Sequence, residues 1–232
     1  MPSNFQPTDK DEMADDYNER GISYFNLKKY PEAIEQFTKA IKVVNNEPDY
    51  YFNRGLAYYS MKILDQAIKD YQKSVEIYPD HADYYNALGA ALEDAGRLEE
   101  ALEQFNKAIK LEGDVPDYYY NRGNLYWKMD NMEDALKDFN KCVRLNSTDQ
   151  IFIYRRHELL VAMERYDQAL ADLDEALKLV PENYNYYIAK SEIYEKMAKY
   201  KDAVREIEEA QKFLPEPEAL SPKKAELEEK ME

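Results

Sequence analysis

A glycine recurs every 34 residues through the first half of the chain, and this spacing constrains the fold more than any other feature of the sequence. The positions that share the step are Gly21, Gly55, Gly89, Gly123, His157 and Ser191. Each is followed twelve residues later by alanine, sixteen later by a large apolar residue and nineteen later by a small residue. Such self-similarity is the signature of a repeat protein. We therefore predict six repeats without insertions, over 14–47, 48–81, 82–115, 116–149, 150–183 and 184–217.

Each repeat contains two apolar patterns with helical spacing. In the second half of the first repeat, Ala33, Phe37 and Ile41 fall on one face of a helix, and Tyr17 and Tyr24 do so in the first half. A short polar break separates the two patterns. A helical hairpin of this kind cannot bury its apolar face alone, so the stacking of successive hairpins must supply the core.

Taken in order, the aromatic, glycine, tyrosine, alanine, phenylalanine and small-residue positions of this period resemble the tetratricopeptide repeat (TPR) family over residues 14–217. The resemblance implies an all-α fold, a right-handed superhelical solenoid of antiparallel helix pairs. One position departs from the family pattern, because the leucine before the glycine is replaced by a basic residue in five repeats. We expect the aliphatic stems of these residues to cover apolar surface while their charges reach water. They are Arg20, Arg54, Arg122, Arg156 and Lys190.

The segments outside the repeats are assigned from their composition. Residues 1–13 are polar and are predicted to be a disordered tail. Residues 218–232 are predicted to form a C-terminal capping helix that covers the last repeat, with Ser221 as its N-cap. The apolar side of this helix would carry Leu220, Leu227 and Met231.

Charge and composition exclude several classes of protein. The net charge is −16, whereas binding to a phosphate backbone needs clustered Lys and Arg, so no nucleic-acid partner is expected. No apolar run approaches the roughly 18 residues of a membrane span, so no membrane association is expected either. The single cysteine cannot form an internal disulfide, which is compatible with a reducing compartment. We therefore expect a cytoplasmic protein.

The residues that could carry catalysis are few. His81 and His157 are the only histidines, and neither has a partner within helical reach for a catalytic dyad or a metal site. Cys142 stands at the small-residue position of its repeat, where a thiol should be buried and inert. We predict that the chain is not an enzyme, with no catalytic residues, no metal site and no cofactor.

The TPR resemblance also implies where a partner would bind. In that family the first helix of each hairpin lines the concave face, and the residues three and two before the glycine, and one and four after it, point inward. The candidate residues of a peptide-binding groove are Asn18, Phe25, Phe52, Asn53, Tyr59, Asn86, Tyr120, Asn121, Asn124, Trp127, Tyr154 and Arg155. The same rule places Glu158, Val161, Ile188, Ala189 and Glu192 on this face.

This surface mixes amides with aromatic rings. An asparagine amide carries both donors and an acceptor and can clamp one peptide unit of an extended chain. Some TPR proteins hold extended peptides with asparagines at the positions of Asn53 and Asn121. Tyr59, Tyr120 and Trp127 would add rigid contact area. Alternatively, the two asparagines cap local structure only.

Aspartates recur at the start of the first helix of four repeats. They are Asp15, Asp49, Asp83 and Asp117. Either they make the groove negative and steer a basic peptide into it, or they stabilise the positive ends of their own helices. In both cases the net charge of −16 disfavours acidic partners.

One known function of the family is excluded by the sequence. A clamp for the C-terminal carboxylate of chaperones, known in TPR co-chaperones, needs lysine three residues before or one after the glycine, and no repeat has one. Two functions remain. The sequence therefore predicts a non-enzymatic protein-protein interaction scaffold whose groove binds an extended peptide or a helix of a neutral or basic partner protein. The alternative is a self-assembling homo-oligomer, in which residues 1–13 or 218–232 dock into the groove of a neighbouring copy.

Overall fold

The computed structural model describes residues 9–231, and within them the chain forms thirteen α-helices, one short 3-10 helix and no strand. The all-α fold of paired helices is confirmed. The helices are α1 (Asp9–Asn26), α2 (Tyr30–Val43), α3 (Pro48–Ser60), α4 (Leu64–Ile77), α5 (Ala82–Asp94), α6 (Leu98–Leu111), α7 (Pro116–Lys128), α8 (Met132–Leu145), α9 (Gln150–Ala162), α10 (Tyr166–Leu179), α11 (Tyr184–Lys196), α12 (Tyr200–Gln211), the 3-10 helix (Pro217–Leu220) and α13 (Ser221–Glu229). The chain divides into two compact units, Met1–Leu125 and Tyr126–Glu232, each of which is described by itself.

The core of each hairpin lies where the periodic glycine meets the large apolar residue sixteen positions later. In the first unit a Cβ atom added to Gly89 would lie 2.7 Å from the ring of Phe105, and one added to Gly55 would lie 2.7 Å from that of Tyr71. The absent side chain is therefore what lets the two helices of a hairpin approach each other. In the second unit the glycine positions hold the buried His157 and Ser191, and the residues sixteen positions later are the smaller, buried Leu173 and Ile207.

The turn between the two helices of every repeat closes in the same way. In the third repeat the amide of Gly96 donates to the carbonyl of Glu93 at 3.0 Å, and the amide of Arg97 donates to the carbonyl of Leu92 at 2.9 Å. This pair of bonds requires one residue in the left-handed conformation. Only one of the six turns uses glycine there. The left-handed residues are Lys28, Lys62, Gly96, Asp130, Glu164 and Ala198.

We expect Gly96→Ala to lower the free energy of unfolding by about 1 kcal/mol, because alanine is disfavoured at the φ of +76° that Gly96 adopts. Ala198→Gly should have the opposite sign, since Ala198 has a φ of +55°. Urea unfolding followed by circular dichroism measures both. The matched control is Ala95→Gly, where φ is −79° and glycine should destabilise. Equal changes in the free energy of unfolding for Ala95→Gly and Ala198→Gly would contradict the left-handed conformation of Ala198.

Tyrosine hydroxyls join successive repeats. Tyr50 Oη donates to Asp15 Oδ1 at 2.5 Å, and Tyr84 donates in the same way to Asp49. The third of these bonds is donated by Tyr118 to Asp83 at 2.7 Å, and in the second unit Tyr186 donates to Gln150. We call these bonds the tyrosine ties. Burial, and then the hydrogen bond to the aspartate, raises the pKa values of the hydroxyls of Tyr50, Tyr84 and Tyr118. Asp15, Asp49 and Asp83 thus accept bonds from the next repeat, and Asp15 lies inside α1, not at its start.

Arg54, Arg156 and Lys190, three of the basic residues before the glycine position, form ion pairs, which corrects for them the expectation that their charges reach water, whereas Arg20 is exposed as expected. Arg54 donates from Nε and Nη2 to the two carboxylate oxygens of Asp70, both at 2.8 Å, and from Nη1 to Thr38 Oγ1 at 3.1 Å. The Arg54 side chain is 18% exposed and that of Asp70 is 9% exposed. Arg156 makes the same bidentate pair with Asp172. Arg54, through Thr38, and Arg156, through Asn140, therefore also connect their own hairpin to the preceding one.

The N-terminal segment differs from the prediction. A disordered tail was expected over residues 1–13, but α1 begins at Asp9, and only residues 1–8 of that segment lie outside the described part. Three acidic residues in the first turn interact favourably with the positive end of the helix dipole. Ala14 is fully buried against Ala40 and Tyr50, so the helix is anchored one turn after it begins.

The C-terminal helix α13 packs on α12 of the same chain. Leu227 is fully buried in a cluster with Val204 and Ile207. Ser221 is the first residue of α13 and not its N-cap, because Leu220 occupies that position and makes no side-chain capping bond. Met231, expected on the apolar side, is 49% exposed.

Candidate functional site

The predicted groove residues lie on the first helices of the first five repeats, and none of them is fully buried. Tyr154 is exposed, at 39%, and the other eleven are half-buried. Nine of the twelve belong to the first unit and three, Trp127, Tyr154 and Arg155, to the second. The two surfaces are therefore considered in turn.

In the first unit the asparagines are paired with one another. Asn53 Nδ2 donates to Asn18 Oδ1 at 3.0 Å, and Asn121 Nδ2 donates to Asn86 Oδ1 at 2.9 Å. These bonds join neighbouring repeats, so they are not caps of local structure. Each pair uses one donor of one amide and one acceptor of the other, which leaves further donors and acceptors on half-exposed side chains.

The aromatic residues of the first unit are partly committed to packing. The ring of Phe52 lies 5.0 Å from that of Tyr84 and 5.6 Å from that of Tyr71. Tyr59 lies under the Lys62 ammonium, 5.0 Å from its ring centroid, and burial together with a hydrogen bond to Asp94 raises the pKa of Tyr59 to about 12. Phe25 packs edge-on against Tyr30, the first residue of α2. Tyr120 and Asn124 are half-buried on α7.

In the second unit Trp127 is the centre of a small stack. The Arg155 guanidinium lies over the indole, 4.3 Å from the ring centroid, and the other edge of the indole packs against Phe139 with centroids 6.5 Å apart. Arg155 also donates to Glu158 at 2.9 Å. The only tryptophan of the chain thus reports on a partly exposed cation–π contact.

Two adjoining clefts follow the first helices α9 and α11 of the second unit. Their volumes are about 350 Å³ and 220 Å³, and they share Tyr154, Ala189 and Glu192 as lining residues. We call them together the α9–α11 cleft. Ala189 stands at the repeat position of Asn53 and Asn121, and Tyr154 at that of their partners. The cleft is therefore open where an amide pair fills the same space in the first unit.

Several residues of the α9–α11 cleft were not among the predicted groove residues. Asn183 and Asn185 enter it from the loop before α11 and from the first turn of that helix, and Lys196 from the end of α11. The position rule, which considers four positions per repeat, does not reach them. Burial, followed by the charges of Glu158 and Glu192, raises the pKa of the Tyr154 hydroxyl.

The residues considered for chemistry are packed away. Cys142 is fully buried. His157 is buried with Nδ1 3.3 Å from the carbonyl oxygen of Ala169, and burial lowers the pKa of its imidazole. His81 stacks on Tyr84 with ring centroids 4.2 Å apart. Among residues 9–231 no group of three His, Cys, Asp or Glu side chains is placed to hold a metal ion, and no helix in this range is long and apolar enough to cross a membrane.

The repeats match known family models along most of the chain. Models described as the tetratricopeptide repeat match residues 48–81 and 116–149, 70–103, and 154–216, and one described as the TPR repeat matches 21–62 and 94–130. The chain belongs to the tetratricopeptide repeat family. The resemblance seen in the sequence is thereby confirmed. Membership of this family indicates a scaffold for protein-protein interaction.

Solved TPR structures resemble this TPR chain. The C-terminal part of a TPR repeat-containing protein from Cytophaga hutchinsonii has a TM-score of 0.76 at 21% identity, covering 91% of this chain and 82% of that one. PilF of Pseudomonas aeruginosa has a TM-score of 0.72 at 19% identity, covering 90% and 95%. YrrB, described as a TPR protein with an unusual peptide-binding site, has a TM-score of 0.64 at 22% identity, covering 77% and 92%. At these identities the likeness shows the fold alone. No curated protein matches the sequence.

Proposed function

We propose that this TPR chain is a non-enzymatic scaffold that binds an extended peptide or a helix of a partner protein on the surfaces of its first helices. The observation that carries the proposal is the row of half-exposed amides in the first unit, where the pairs Asn18–Asn53 and Asn86–Asn121 repeat the same geometry. The remaining amide groups can donate to and accept from the backbone of an extended peptide without regard to its sequence.

The chemistry of the partner follows from charge. A net charge of −16 repels acidic segments, so a neutral or basic peptide is the expected ligand. The half-exposed Trp127 and the exposed Tyr154 offer aromatic contact area of the kind that anchors partners in protein interfaces. The peptide-binding site named for the TPR protein YrrB is consistent with this use of the fold.

The self-assembling alternative finds less support. It needs residues 1–13 or 218–232 to leave the chain and dock into a neighbouring copy. Residues 9–13 belong to α1, and α13 buries Leu227 completely against α12 of its own chain. Inserting either segment would therefore first require contacts of the folded chain to break.

The direct test is a titration followed by the fluorescence of Trp127, whose indole is stacked on Arg155. Pools of basic, neutral and acidic peptides would be added at two salt concentrations. Saturable changes with the basic or neutral pools support the proposal, and their salt dependence separates electrostatic steering from packing. A flat signal with every pool, together with fluorescence that depends on protein concentration, would favour self-assembly.

We expect Asn121→Ala and Trp127→Ala each to weaken peptide binding by about 1–3 kcal/mol. The first removes one of the paired amides, and the second removes an aromatic contact surface. The affinity is measured by the anisotropy of a labelled peptide, since one variant lacks the fluorophore. Far-UV circular dichroism should show unchanged helicity. Asn46→Ala, in an exposed loop between repeats, is the matched control and should bind normally. Unchanged affinity in both variants would contradict the proposal that the peptide binds at these residues.

A further inference from the structure

We infer that the α9–α11 cleft binds the side chain of a lysine or arginine residue in the partner peptide. This inference rests on the proposed function and adds to it the identity of one ligand side chain and its site. The shape of the cleft, the rings that line it and the charges at its edge all favour such a side chain.

The shape suits a long unbranched side chain. Ala189 forms the part shared by both clefts, and its small side chain leaves open the space that an amide fills in the second and fourth repeats. Tyr154 and Tyr186, with ring centroids 6.3 Å apart, and Ile188 provide aromatic and aliphatic walls. Lysine and arginine bury their aliphatic stems against such surfaces and keep their charges at the polar end.

The charges at the cleft complement a cation. Glu158 and Glu192 both line it. Glu158 already accepts a bond from Arg155, whereas Glu192 is exposed and makes no salt bridge with any other described residue. Lys196 is the one basic lining residue among those described, and it lies at the end of α11. A ligand cation near Glu192 would therefore complete an ion pair that the chain itself leaves open.

The ring of Tyr154 adds a second attraction. The face of a tyrosine attracts a cation, and within residues 9–231 no basic side chain lies over this ring. The situation differs at Trp127, where the chain's own Arg155 occupies the indole face. A peptide cation can therefore stack on Tyr154 directly, whereas at Trp127 it would have to displace Arg155.

The test uses pools of short peptides in which one position is fixed as lysine, arginine, citrulline or norleucine. Citrulline keeps the shape of the arginine side chain, norleucine keeps the four-carbon stem of lysine, and neither carries a charge. We expect the lysine and arginine pools to bind the wild-type chain about tenfold more tightly than their neutral counterparts. In Glu192→Gln this preference should disappear, while the affinity for the norleucine pool stays the same.

Two further variants sharpen the result. Glu218→Gln removes an equally exposed charge that does not line the cleft and should keep the preference. Ala189→Leu should fill the cleft and abolish the preference with helicity intact. If Glu192→Gln and Ala189→Leu both retain the preference, the basic-side-chain site is wrong although peptide binding stands. If no pool binds the wild-type chain, the proposed function fails together with the site.

Discussion

We expect Arg54→Leu to lower the free energy of unfolding by about 3–5 kcal/mol. Arg54 and Asp70 form a bidentate pair in which both side chains are largely buried. Removing the guanidinium leaves the carboxylate of Asp70 buried without its counter-charge, and this loss is larger than the small net gain that such a pair contributes when it is complete. Urea unfolding followed by far-UV circular dichroism measures the change.

The chain provides the control for this substitution. In the third repeat the two equivalent positions are occupied by Leu88 and Gln104, so the double variant Arg54→Leu/Asp70→Gln copies a natural combination. We expect it to recover most of the stability, because no charge is left buried. A double variant as unstable as Arg54→Leu alone would show that the arginine acts through packing and not through its partner.

The second large effect is expected at Phe105, whose side chain is fully buried against Gly89. Phe105→Ala should lower the free energy of unfolding by about 3–5 kcal/mol, since the lost ring leaves a cavity between the two helices of the hairpin. Thermal and urea unfolding both report it. A loss below about 1 kcal/mol would mean that the hairpin collapses into the space.

The sixth repeat supplies the matched test of packing. There Ser191 and Ile207 occupy the positions of Gly89 and Phe105. Gly89→Ser alone should destabilise by about 1–3 kcal/mol, because its Cβ would lie 2.7 Å from the Phe105 ring. In a Phe105→Ile background the same change should cost much less. Equal costs in the two backgrounds would contradict the complementary packing of the two positions.

Most of the fold was predictable from the sequence, because the repeat period predicts the number of repeats and the two helices in each. The spacing of Ala33 and Phe37 predicts a helix, and the structure has α2 over Tyr30–Val43. The conformation of the turns was not predictable, since five of the six left-handed positions hold residues such as Lys28 that normally avoid it. The two hydrogen bonds of each turn form there despite this local preference. The start of α1 at Asp9 was not predicted, because residues 9–13 are mostly polar and the helix is held by the burial of Ala14 that follows them.

One pattern in the sequence indicates the ion pairs of the basic residues before the glycine position. An acidic residue stands sixteen positions after Arg54, Arg122, Arg156 and Lys190, whereas glutamine stands there after Arg20 and Leu88. Where the basic and the acidic residue both occur, this pattern predicts an ion pair within the hairpin, as found for Arg54 and Arg156. The assumption that long basic side chains on helices reach water concealed it.

The candidate site was less predictable than the fold. The position rule for inward residues selected exposed or half-exposed side chains, but it could not show that Asn53 bonds to Asn18. Such contacts join residues 35 positions apart, one more than the period, so inspection of aligned columns does not reveal them. The position rule placed Tyr154, Ala189 and Glu192 on the groove face, but it did not show that they line a cleft together with Asn183 and Asn185.

The register of the tyrosine ties makes the length of the array open to evolutionary change. Each tie to an aspartate spans one period plus one residue, as from Asp15 to Tyr50 and from Asp49 to Tyr84. If recombination removed residues 48–81, Tyr84 would come to stand 35 positions after Asp15, where Tyr50 had been. A duplication of the same segment would create another tie of the same kind. Gene segments of one whole period can therefore be gained or lost with the register of these ties preserved, whereas an insertion of a few residues breaks it.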